Sequence, residues 1–264
     1  MQITGATWLF PIIGHPVAGV FSPPAFNRYF QEGGIDAVMF GLDIAPAGLD
    51  AFWQMMRASS NMLGCSVTYP HKQAAFLAVD GMTDRARRLG ALNTIRREND
   101  GRLWGEATDG LAMVHAMEKA GFAPEGRTAH VVGAGGGAGL AIVDCLCEKG
   151  ITRLEIEELD PDRRENLMRL LDIYWPNVEI TASAAQSDIL INATTLGKKD
   201  TDPLPFSEMV IERALLCCDA VTSPTDTRFV AAARHMGKTI ISGDDMGAEQ
   251  MEVQAQFLQV ASTA

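Results

Sequence analysis

The chain has 264 residues, enough for two domains that each bury a core of their own. Its 47% hydrophobic and 21% charged residues are ordinary for a globular protein, and a net charge of −11 argues against nucleic acid and anionic membranes as partners. No apolar run approaches the roughly 20 residues of a membrane helix, and no basic-then-apolar leader opens the chain.

Cys65, Cys145, Cys147, Cys217 and Cys218 form no CxxC pair and no zinc spacing, which predicts buried thiols in a reducing cytoplasm and no metal. In chain order, residues 9–13 predict a strand. Ser22 then predicts an N-cap, with Pro23 opening a helix through Phe26 and Phe30. A strand at 38–42, a helix at 49–56 and a strand at 63–68 follow, the last stopped by Pro70. Runs at 93–97 and 102–106, joined through Asp100-Gly101, predict a hairpin. From Gly110 a helix leads into the strand ending at Val132. Further strands are expected from Arg153 and at 178–181, 189–191, 215–220 and 239–241, with helical patterns between them, and an amphipathic helix at 246–258. The predicted fold is α/β in two domains. An N-terminal α/β substrate domain covers 1–109 and a Rossmann-like doubly wound parallel sheet covers 110–245, with the helix 246–264 packing back on the first.

The most constraining segment is Val131-Val-Gly133-Ala134-Gly135-Gly136-Gly137-Ala138, an apolar strand turning through glycines into a helical pattern at Leu140, Ile142, Val143 and Leu146. Such a turn leaves backbone N–H groups at a helix start, where the dipole favours an anion. Here Gly133 is expected to permit the turn, Gly135 to admit a pyrophosphate, and Ala138 to fill the small third position of the dinucleotide fingerprint. Roughly 25 residues after Gly133, the second strand ends in Glu158-Leu-Asp160, where a ribose-binding acid belongs. The same residues also read as a helix start marked by Asp160 and Pro161. A carboxylate about 5 Å from a 2′-phosphate would cost about 3 kcal/mol per charge pair at an effective dielectric near 20. The expected cofactor is therefore NAD rather than NADP, with Arg163 and Arg164 able to soften the preference. Oxidising a secondary alcohol also requires a proton acceptor. Lys72, after a strand end and Pro70, and Asp109, where the first domain gives way to the second, are the candidates; His15 and His71 read as loop residues.

The chain resembles the shikimate dehydrogenase family, including its NAD-using quinate/shikimate branch. Gly14-His-Pro16-Val-Ala-Gly-Val20-Phe-Ser22-Pro23 is similar to the opening substrate loop, and Val67-Thr68-Tyr-Pro70-His-Lys72 to the lysine motif. Gly90-Ala-Leu-Asn93-Thr94, Thr108-Asp109-Gly110, Asn192-Ala-Thr194-Thr-Leu-Gly197 and the spacing of Gly243, Met246 and Gln250 match further signatures. The resemblance implies Lys72 and Asp109 as the catalytic pair. It implies Ser22, Ser66, Thr68, Asn93, Thr222 and Gln250 as substrate-binding residues, with Thr194, Thr195, Val221 and Gly243 joining residues 133–138, Glu158 and Asp160 at the cofactor. Four positions depart from the family pattern: Val20 for a serine, Ser66 and Ala107 for asparagines, and Thr222 for a tyrosine. The implied activity is NAD(P)-dependent interconversion of a ring hydroxyl and a ketone on a cyclic hydroxy acid, shikimate or quinate. The alternatives are a paralogue with another substrate and a non-catalytic NAD-binding sensor. The chain is expected to act in the cytoplasm as a monomer or homodimer.

Overall fold

The computed structural model describes residues 2–20, 22–181, 187–199 and 201–259. Residues 260–264 of the predicted C-terminal helix and Phe21 of the opening loop lie outside the described residues. The chain divides into two compact units, Met1–Thr108 with Met251–Ala264, and Asp109–Gln250.

The first unit holds β1 (Trp8–Gly14), β2 (Ala37–Asp43), β3 (Gly64–Val67), β4 (Gly81–Met82), β5 (Thr94–Arg97) and β6 (Leu103–Glu106), in the order β2-β1-β3-β5-β6-β4. Parallel pairing joins β1 to β2 and β3, whereas β5 runs antiparallel to β3 and β6. Its helices are α1 (Ser22–Glu32), α2 (Leu49–Ala58), α3 (Lys72–Ala78) and α4 (Asp84–Leu89). Successive side chains of a strand point to opposite faces, and β1 is apolar on both. Phe10 and Ile12 pack with Phe26 and Phe30 of α1, while Ile13 packs with Phe52, Trp53 and Met56 of α2. This two-sided burial explains the unbroken apolar run of β1.

In the β5–β6 hairpin, Gly101 takes φ 85° and its N–H donates to the Glu98 carbonyl at 2.9 Å. Gln259 is the one described non-glycine residue with positive φ, so Asp100 remains right-handed. The connection is thus a type I turn closed by a left-handed glycine. The short β4 and α4 went unanticipated. Nevertheless α4 carries ordinary signals: the Thr83 hydroxyl accepts from the Ala86 N–H at 3.3 Å, and Gly90 ends the helix at φ 62°.

The second unit holds β7 (Thr128–Val132), β8 (Arg153–Glu157), β9 (Glu179–Thr181), β10 (Ile189–Asn192), β11 (Leu216–Asp219) and β12 (Thr239–Ile241). All are parallel, in the order β12-β11-β10-β7-β8-β9. Strand order reverses between β7 and β10, the switch point at which doubly wound sheets bind ligands beyond the strand ends. The connecting helices are α5 (Asp109–Lys119), α6 (Gly137–Glu148), α7 (Pro161–Tyr174), α8 (Glu208–Arg213) and α9 (Arg228–His235); α10 (Gly243–Phe257) follows β12. Gly110 lets α5 approach α6 closely, because a Cβ there would lie 2.0 Å from the Ala141 carbonyl oxygen. The five cysteines are free and buried. Among the described residues, no helix is long and apolar enough to cross a membrane.

Candidate active site

In the first unit the opening loop and the lysine motif touch. The His15 N–H donates to the Tyr69 carbonyl at 3.1 Å, and a Cβ on Gly14 would lie 2.5 Å from the Thr68 methyl. His15 Nδ1 also meets Asp43 Oδ1 at 2.6 Å, and the Val17 N–H donates to Asp43 Oδ2 at 3.2 Å. These hydrogen bonds, that from His15 first, hold the Asp43 carboxyl below its ordinary range. His71 is buried with Nε2 2.7 Å from the Ile44 carbonyl, directly ahead of half-buried Lys72. Both histidines therefore anchor the loops that carry predicted site residues. Lys72 opens α3, and its carbonyl accepts the Leu92 N–H at 3.3 Å, which ties it beside Asn93.

Asn93 is buried, and its side-chain carbonyl is well occupied. Oδ1 accepts the Thr108 N–H at 2.7 Å, the Thr108 hydroxyl at 3.1 Å and the Thr94 hydroxyl at 3.4 Å. This fixes the amide orientation, so Asn93 presents its NH₂ group as a donor. Ser66 is buried beside it, its hydroxyl 3.5 Å from the Asn93 backbone carbonyl. Gln254, absent from the predicted set, reaches both strands through its amide, at 3.3 Å from Ser66 Oγ and 2.8 Å from Thr94 Oγ1. Among the described residues no hydrogen bond brings the Ser22 side chain into this group, although α1 does begin there.

In the second unit, Asp109 opens α5 and its Oδ1 accepts the Gln250 amide at 2.7 Å. Two predicted residues 141 positions apart thus meet directly. The glycine turn follows β7 as expected. Gly133 takes φ 78°, its N–H and that of Ala134 donate to the Glu157 carbonyl at 2.8 and 3.1 Å, and Gly136 caps α6.

Two details add to the fingerprint as applied to the sequence. Gly139, next to Ala138, is a tightly packed small position, since a Cβ there would fall 2.0 Å from the Gly133 carbonyl oxygen. Gly135 is required by α7 as well, because its Cβ would meet Arg163 backbone and side-chain atoms at about 2.9 Å. Gly137, by contrast, faces nothing within 4 Å.

The acidic segment lies against the glycine turn and also starts α7. Glu158 Oε2 accepts the Gly135 N–H at 3.0 Å, which places a carboxylate against the turn. Its Oε1 accepts the Asp160 N–H, also at 3.0 Å. Asp160 in turn caps α7, accepting from the Asp162 and Arg163 N–H groups at 3.0 and 3.1 Å. The Gly135 amide already bonds an anionic oxygen, and a glycine turn with a helix start fits a dinucleotide pyrophosphate.

Beyond β10 and β11, a buried network shapes the loops that carry Thr194, Thr195 and Val221. Asn192 accepts from the Thr194 N–H (3.1 Å) and hydroxyl (2.6 Å) and donates to Asp219 Oδ1 at 3.0 Å and the Leu196 carbonyl at 3.0 Å. Asp219 also accepts from the Val221 N–H at 3.0 Å and the Thr227 hydroxyl at 2.6 Å. Gly243 fits against this loop, as its Cβ would lie 2.1 Å from the Val221 carbonyl oxygen. Asp219 and Thr227 escaped the sequence analysis, where an aspartate inside Cys218-Asp-Ala-Val carries no pattern. Burial pushes the Asp219 carboxyl above its ordinary range, against the pull of its three donors. Removing it orphans the Asn192 and Val221 donors. Asp219→Ala is expected to cost about 2–5 kcal/mol in denaturant unfolding, and Asp219→Asn less. Since the native carboxyl holds its proton more tightly than the unfolded one, its ionisation lowers stability as pH rises above the ordinary carboxylate range. The asparagine variant is expected to lose that dependence.

The second unit thus carries a dinucleotide-type turn and the first a lysine motif. Residues 12–95 match the model of the shikimate dehydrogenase substrate binding domain. A shikimate dehydrogenase (NADP(+)) of Rubrobacter xylanophilus is 38% identical over 252 residues, covering 93% of this chain and 88% of that protein. A shikimate 5-dehydrogenase of Listeria monocytogenes, solved in complex with shikimate and NAD, is 26% identical with a TM-score of 0.85, covering 98% of each chain. The ligand-free 5-ketofructose reductase of Gluconobacter sp. strain CHM43 shares the fold at a TM-score of 0.88 and 24% identity, over 97% of this chain and 94% of that one. The chain belongs to the shikimate dehydrogenase family, whose members are oxidoreductases acting on a CH–OH group.

Proposed function

We propose that the chain is an NAD-preferring dehydrogenase that interconverts a ring hydroxyl and a ketone on a polyhydroxylated cyclic carboxylate, either shikimate or quinate. A nicotinamide dinucleotide, when bound, supplies the hydride acceptor or donor. Residues 133–138 hold its pyrophosphate and Glu158 and Asp160 its ribose, while Thr194, Thr195, Val221 and Gly243 shape the nicotinamide end. Lys72 exchanges the proton of the reacting hydroxyl and Asp109 orients that hydroxyl. Ser22, Ser66, Thr68, Asn93, Thr222 and Gln250 hold the acid. The observation that best supports these roles is the 2.7 Å hydrogen bond from Gln250 to Asp109, which fixes the carboxylate that must face the substrate. The preference for NAD rests on Glu158 lying against the Gly135 amide, where a 2′-phosphate would meet a like charge. In this it departs from the Rubrobacter relative, which is named for NADP(+). The enzyme works in the cytoplasm as a monomer or homodimer.

Initial rates with shikimate and quinate, each offered NAD and NADP, test the proposal. Turnover of at least one acid is expected, with kcat/KM for NAD about tenfold or more above that for NADP, the equivalent of about 1.4 kcal/mol. Reversal of the cofactor ratio would refute the preference, and no turnover with either acid would refute the substrate class. A second reading, a paralogue with another substrate, is favoured by Val20, Ser66, Ala107 and Thr222. Turnover of a related hydroxy acid in place of both would select it.

A further inference from the structure

Gln254 lies in the fourth turn of α10 and is 1% exposed, yet nothing in the reaction so far requires a buried carboxamide there. Its Nε2 carries two hydrogens and has two partners, Ser66 Oγ at 3.3 Å and Thr94 Oγ1 at 2.8 Å. A hydroxyl that accepts a hydrogen bond must send its own proton elsewhere. For Thr94 two acceptors lie in reach, Thr108 Oγ1 at 3.1 Å and Asn93 Oδ1 at 3.4 Å, and the Thr108 hydroxyl reaches Asn93 Oδ1 at 3.1 Å. Among the described residues Ser66 has the Asn93 backbone carbonyl alone in reach, at 3.5 Å, and that oxygen already accepts the Val67 N–H at 2.7 Å. A good acceptor for the Ser66 proton is therefore lacking among the described residues.

We infer that Gln254 is a positioning and specificity-determining residue that polarises Ser66 into a donor aimed at an acceptor oxygen of the substrate. This rests on the substrate role proposed for Ser66. The chemistry selected is a ligand offering a carboxylate or an accepting hydroxyl oxygen at this point.

Gln254→Glu tests the direction of the chain. A carboxylate accepts only, so both hydroxyls turn toward it and Ser66 ceases to donate to the ligand. With whichever of shikimate and quinate the wild type turns over, the variant is expected to raise the acid's KM about tenfold or more. The KM for dinucleotide and kcat should stay within about twofold, a split that general loosening of the fold would not produce. Ser66→Ala should raise the KM similarly, and the double variant no further. Should the glutamate variant fail to fold, Gln254→Met replaces it in the same cycle. An unchanged KM, or additive effects of the two substitutions, overturns the inference while wild-type turnover leaves the proposed function standing. A wild type that neither turns over nor binds either acid by calorimetry overturns both.

Discussion

Lys72→Met is expected to lower kcat by about 10²–10⁴-fold, the usual contribution of a positioned acid–base group. KM for both substrates and the melting temperature should change little. The side chain is half-buried at the first position of α3, and the backbone around it is held by other groups. His71 bonds the Ile44 carbonyl, and the Lys72 carbonyl takes the Leu92 N–H. Methionine keeps most of the aliphatic stem while removing the ammonium. A surface-type effect would stay within about 0.5 kcal/mol of stability, so a large fall in kcat with an intact melt isolates the proton-transfer role. An undiminished kcat would remove Lys72 from the chemistry.

The second large effect is structural. Gly139→Ala adds one methyl group at a point 2.0 Å from the Gly133 carbonyl oxygen and 2.9 Å from the Ala134 Cα. Both obstacles are backbone, so the turn itself must move. Overpacking commonly costs about 1–3 kcal/mol and more where no side chain can yield, and about 3 kcal/mol or more is expected here. Dinucleotide binding, read by calorimetry, should be lost together with stability. Gly137→Ala is the control for stability alone, because its Cβ meets no protein atom within 4 Å and alanine favours a helix, whereas Gly137 belongs to the same proposed pyrophosphate turn. Equal stability of the two variants would show that the turn tolerates displacement.

Much of this was legible in the residues themselves. The two-sided apolar run of β1, the glycine turn after β7 and the carboxylates after β8 all follow from period, turn chemistry and spacing. What escaped was of two kinds. The two-residue β4 is too short to carry a period, and its pairing with β6 is a tertiary fact. The partners Gln254, Asp219 and Thr227 act through distant hydrogen bonds, 188 positions in the case of Gln254 and Ser66, which no local pattern encodes. The need for glycine at 139 belongs with them, since it arises where α6 meets the turn at Gly133 and Ala134.

All five thiols are shut away from solvent, and burial lifts the Cys217 group to about 12 and the Cys65 and Cys218 groups well above their ordinary value. These three present almost no thiolate near neutrality, the form that oxidants and alkylating reagents attack. Inactivation by such reagents would then register transient opening of the polypeptide rather than modification of the reaction centre. Oxidation of these three thiols in air should accordingly be slow for as long as the molecule stays folded.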